Sequence, residues 1–156
     1  MKTAIFAVLI LLTSSSMGLA GDVRLFGVDS FAQITREQNR PVIVNFWSIY
    51  CPPCIAEMPV WQKLLAERTD IRLVLVSTDP PRLAEKVSRT LTRYGLDGVE
   101  PWVFDSEFAL PLRRSVDRKW RGTLPRTEIF LRDGQRHTVT GLVDEKALSH
   151  LLERGK

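Results

Sequence analysis

The chain has 156 residues, with 22 Lys and Arg against 18 Asp and Glu for a net charge of +4, 44% hydrophobic residues and only 2 cysteines. That apolar content suffices for an ordinary core, glycine and proline are scattered without low complexity or repeats, and the charge excess is far from that of a nucleic-acid binder.

At the N-terminus, Lys2 supplies a positive start, Ala4 to Leu12 (AIFAVLILL) is an unbroken apolar run, and Gly18-Leu19-Ala20 places small residues where a signal peptidase cuts. The run is shorter than the roughly 20 residues that span a bilayer, so residues 1–20 read as an export signal cleaved after Ala20. The alternative is an uncleaved anchor. Export places the remainder in the periplasm as one domain, residues 21–156, with a charge reduced by the loss of Lys2. One local bias, Arg113 to Arg121, carries five basic residues against one acid and reads as a solvated face or a surface for an acidic partner.

Past the signal, the spacing predicts a helix from Ser30 to Asn39, and Pro41 to Trp47 (PVIVNFW) is a β-branched run of buried-strand type. Apolar residues from Cys54 to about Arg68 recur at near-helical spacing, and Ile71 to Ser77 predicts a second buried strand. Pro80-Pro81 opens a helix through Tyr94, ended by Gly95. Trp102 to Phe104 is a short strand with a helix behind it at Glu107 to Val116. Thr127 to Leu131, Asp133-Gly134 and His137 to Thr140 predict a hairpin, and a helix from Asp144 to Glu153 closes the chain. Strands alternating with helices, then a hairpin and a terminal helix, imply an α/β fold: a mixed sheet with helices on both faces.

Both cysteines fall in FWSIYCPPC, residues 46–54, where the first predicted strand meets a helix. Chemistry in open α/β sheets collects at the carboxyl ends of strands. A helix start favours a thiolate, so Cys51 is the expected nucleophile and Cys54, a turn inside, its covered partner. Three other uses remain open. A structural disulfide between residues three apart would restrict the unfolded chain little. Zinc needs about four ligands, and only His137 and His150 are at hand, far off in sequence. Ser48, three residues ahead of Cys51, suggests a peroxidase cysteine, but peroxiredoxins put a proline further upstream, where this chain has Val44. A dithiol cycling between reduced and disulfide forms, with no cofactor and no metal, is the leading reading.

FWSIYCPPC followed by Ile55-Ala56-Glu57-Met58-Pro59 resembles the TlpA/ResA group of thioredoxin-like exported disulfide reductases, whose members show a similar FWATWCxPCxxExP stretch. The resemblance implies a thioredoxin-like sheet, a nucleophile at Cys51 and a resolving cysteine at Cys54. It aligns Gly122 to Thr127 with a cis-proline loop, making Pro125 the residue opposite the thiols and leaving the Leu124 backbone to pair with a substrate strand. Trp47 and Tyr50 would contact substrate, Trp47 otherwise being core. Pro59 falls where the family's helix is kinked. Two departures stand out: Tyr50 replaces a usual tryptophan, and the loop lacks the Gly-x-Pro-Glu-Thr pattern of the cytochrome c maturation branch.

Ordinary thioredoxins carry a buried aspartate six residues before the first cysteine. Here that position is Asn45, which cannot exchange a proton. Glu57, three residues past Cys54, would lie below the thiols and act as the base, unless it is an exposed first-turn acid. The resulting expectation is a monomeric periplasmic reductase of disulfide-containing proteins, recharged by a membrane thiol reductase, with apocytochromes, copper-site assembly proteins or damaged envelope proteins as substrates. A disulfide oxidase is the competing enzyme, although no large helical insertion fits between Ser77 and Thr127. A thiol-based chaperone binding soft metal through Cys51, Cys54 and Met58 is the non-enzymatic alternative.

Overall fold

The computed structural model describes residues 23–36 and 39–154, so the export signal expected at residues 1–20 lies outside the described residues. Six strands form one sheet: β1 Arg24–Phe26, β2 Val42–Trp47, β3 Arg72–Ser77, β4 Pro101–Phe104, β5 Arg126–Phe130 and β6 Arg136–Thr140. The helices are α1 Ser30–Arg36, α2 Pro52–Glu67, α3 Ala84–Arg93, α4 Ala109–Val116 and α5 Glu145–Arg154.

The sheet order is β1-β4-β3-β2-β5-β6. β1, β4, β3 and β2 run parallel, whereas β5 is antiparallel to β2 and β6 to β5. Parallel strands need both faces covered, which is why β2 is buried at every position and reads as an apolar run broken only by Asn45. On one face α2, α3 and α5 cover Ile43, Trp47, Leu73, Leu75 and Ile129 through Met58, Trp61, Leu91, Leu148 and Leu152. On the other, α1 and α4 pack Phe31, Leu112 and Val116 against Phe26, Phe46, Trp102 and Trp120. The mixed sheet with helices on both faces is the architecture the sequence predicts.

Several boundaries move. α2 begins at Pro52 rather than Cys54, because prolines suit the first turn, whose N–H groups have no helical partner. Pro59 sits inside α2 without ending it. The helix expected from Pro80 is a single 3-10 turn, Pro81–Leu83, followed by α3. Helical structure is absent at Asn39, and the last helix is capped rather than started by Asp144, whose Oδ1 accepts from the Ala147 N–H at 2.7 Å. β1 was not expected at all. It has three residues with one buried, too short for a period, and its order comes from pairing Phe26 with Phe104.

The parallel strands all end at one edge of the sheet. β2 delivers Cys51 there, β3 delivers Asp79, and the loop before β5 delivers Leu124 and Pro125. The basic stretch 113–121 is not one face: Val116 and Trp120 are core, Asp117 pairs with Arg126 at 2.8 Å, and Arg114, Arg118, Lys119 and Arg121 are exposed.

Candidate active site

β2 ends at Trp47, and the turn Ser48–Tyr50 leads to Cys51, the N-cap of α2. Cys51 and Cys54 are joined, with sulfurs 2.02 Å apart and Cα atoms 5.2 Å apart. The Cys54 N–H donates to Cys51 Sγ at 3.2 Å, the contact by which a helix start stabilises negative charge on a capping sulfur. Cys51 is half-buried whereas Cys54 is 1% exposed, so Cys51 is the more accessible sulfur of the pair.

Glu57 lies one turn along α2 from Cys54 and is 2% exposed, so it is not a surface acid. Its Oε1 accepts from the Val143 N–H at 2.7 Å, and its Oε2 from Asn45 Nδ2 at 2.9 Å and Trp61 Nε1 at 3.2 Å. Burial pushes its carboxyl above the ordinary 4.5, opposed by the bonds from Val143, Asn45 and Trp61. Asn45 also donates to Thr127 Oγ1 at 3.0 Å, its direct partner across the β2–β5 pair, while its Oδ1 is buried without a partner. Asn45 therefore holds the acid it cannot replace. Sequence reasoning missed Trp61, Thr127 and Val143 in this network; only Trp61, four residues past Glu57 on one helix face, left a local signal.

The substrate-side residues divide. Leu124–Pro125 is a cis peptide bond, and Pro125 precedes Arg126, which is in register with Phe46, so it stands level with the end of β2. The Pro125 C=O accepts from the Gly141 N–H at 2.9 Å, whereas neither backbone group of Leu124 has a hydrogen-bond partner among the described residues. Tyr50 is 66% exposed beside Cys51, with the Lys86 ammonium 4.8 Å from its ring centroid. Trp47 corrects the expectation of substrate contact: it has no exposed surface and packs with Cys54, Met58 and Trp61 in the core, supporting the turn from below. Met58 is likewise fully buried.

The thioredoxin family model matches residues 22–92, the stretch that runs from β1 into α3 and includes the cysteine turn. The chain has a thioredoxin fold. In this thioredoxin-like chain, 61 residues are 39% identical to the thiol-disulfide oxidoreductase ResA of Halalkalibacterium halodurans, a match covering 38% of the chain and 34% of the relative. The chain thus spans about a third of the length of that ResA. Thioredoxin 1 of Synechococcus elongatus is 29% identical over 128 residues, covering 80% of the chain and 89% of the relative. Among solved structures, a thioredoxin-related protein from Neisseria meningitidis serogroup B superposes with a TM-score of 0.63 at 22% identity, covering 78% of the chain and 89% of that structure.

Proposed function

We propose that this thioredoxin-like chain is an exported, periplasmic thiol-disulfide oxidoreductase that reduces disulfides in partner proteins. The observation carrying the reading is the asymmetry of the pair: Cys51 caps a helix at the open edge of the sheet, and Cys54 is covered above a buried carboxylic acid. Reduced Cys51, as thiolate, attacks one sulfur of the partner disulfide; the partner's other sulfur leaves as a thiolate and takes a proton from water. Glu57, directly or through water, accepts the proton of Cys54, whose thiolate attacks Cys51 Sγ and expels the partner's second sulfur. The partner gains two electrons and the chain is left with the Cys51–Cys54 disulfide. A membrane thiol reductase then restores the dithiol. The unpaired backbone of Leu124 and the exposed ring of Tyr50 offer an extended partner segment a main-chain edge and an apolar contact. No described helix is long and apolar enough to cross a membrane.

Trapping tests both the activity and the order of attack. Cys54→Ser expressed in the periplasm accumulates mixed disulfides through Cys51, and mass spectrometry names the partners. Adducts on Cys51→Ser with none on Cys54→Ser would reverse the roles.

A further inference from the structure

A second buried carboxylate stands beside the cysteine turn, and no step of the exchange uses it. Asp79 follows β3 by two residues and is 5% exposed. Its Oδ1 accepts from Ser48 Oγ at 2.8 Å, and its Oδ2 accepts from the Ile49 N–H at 2.9 Å and from Ser77 Oγ at 2.6 Å. The Asp79 N–H donates to Ser77 Oγ at 3.1 Å, which locks the carboxylate to the end of β3. Ser48 passes the constraint on: its Oγ accepts from the Tyr50 N–H at 3.1 Å and its carbonyl from the Cys51 N–H at 3.1 Å. The Trp47 carbonyl accepts from the Thr78 N–H at 2.8 Å. Every residue from Trp47 to Cys51 is thus held by this web, and most of its bonds meet at Asp79 or at Ser48, which Asp79 holds.

We propose that Asp79 is the positioning residue for Cys51: it fixes the Ser48–Tyr50 turn so that the Cys51 sulfur meets the first amides of α2, and its negative charge tempers the thiolate formed there. The inference rests on Cys51 being the attacking thiol. The two actions oppose one another. Fixed geometry brings the Cys54 N–H to the sulfur and favours the anion, whereas a like charge bonded two residues away disfavours it. Other charged groups on neighbouring elements include Lys86 on α3, which lies over the Tyr50 ring, the Arg82–Glu107 ion pair and the buried Glu57 on α2. They are unchanged by substitution at position 79.

Asp79→Asn keeps the size and one acceptor oxygen but removes the charge, and Asp79→Ala removes both. In the reduced protein carrying Cys54→Ser, the rate of Cys51 alkylation by iodoacetamide is followed against pH, and attack on oxidised glutathione is measured at full ionisation. Asp79→Asn lowers the alkylation midpoint by about half a pH unit or more. Asp79→Ala slows the attack about tenfold or more, and Asn restores most of that loss. An Asn midpoint equal to the parent's overturns the proposal, as does an Ala variant that attacks at the parent rate. If the Ala variant does not fold, the Asn midpoint alone decides. Alkylation needs no protein partner, so a parent protein that alkylates normally yet reduces no partner disulfide would sink the exchange reading while leaving this test of Asp79 intact.

Discussion

Glu57→Gln is the substitution whose outcome depends most directly on the geometry of the site. The carboxylate meets three donors, two at Oε2 and one at Oε1. A glutamine amide can keep Asn45 and Trp61 on its oxygen, but its NH2 then faces the Val143 N–H, and that bond is lost at a cost of about 1–3 kcal/mol. A domain of this size carries about 5–15 kcal/mol, so the variant folds. Its stability should also vary with pH in a different way. Because burial raises the folded carboxyl above 4.5, the native state holds the proton more tightly than the unfolded chain. The parent's advantage over Glu57→Gln is therefore full below the unfolded value and is lost as pH rises through the folded value. The slope is at most about 1.4 kcal/mol per pH unit, for one proton. Kinetically, the first attack by Cys51 is little changed, whereas resolution by Cys54 slows about a hundredfold or more, the usual worth of a positioned base. Rapid mixing with a fluorescent disulfide peptide separates the steps: formation of the mixed disulfide, then release of reduced peptide, each across pH. If release rates and pH profiles of the variant superimpose on the parent's, Glu57 moves no proton and its burial serves structure alone.

Equilibrated against glutathione, the Cys51–Cys54 pair should show a potential nearer about −270 mV than about −120 mV; a value near the latter contradicts the reductase direction. On the opposite face, Arg126→Met strips Glu128, which has no exposed surface, of a 2.7 Å partner and Asp117 of a 2.8 Å one. Denaturant unfolding should show a loss of about 3 kcal/mol with exchange at Cys51 unaffected. A negligible loss would mean that Arg136 and Thr138, which also bond Glu128, compensate fully.

Elements whose signals are local could be read from the amino-acid order alone. The runs around Val44 and Val74 are buried on both faces and so read as strands without knowledge of their neighbours, and Asp133-Gly134 marks a hairpin turn, with Gly134 at a φ of +84°. The redox centre was legible for the same reason, since two cysteines three apart at a strand-to-helix junction have their chemistry set by the helix start itself. Tertiary structure alone decided what surrounds them. The donors to Glu57 come from α2 itself, from β2 twelve residues away and from the segment after β6 eighty-six residues away, and only the β2–β5 register puts Asn45 opposite Thr127. Trp47 turned inward because an odd position on β2 faces the layer of α2, and Asp79 became buried because the parallel pairing of β2 with β3 brings their carboxyl ends side by side. A buried carboxylate is tolerable only where donors converge on it, and convergence of residues distant in sequence is a property of the folded chain, which no local pattern encodes.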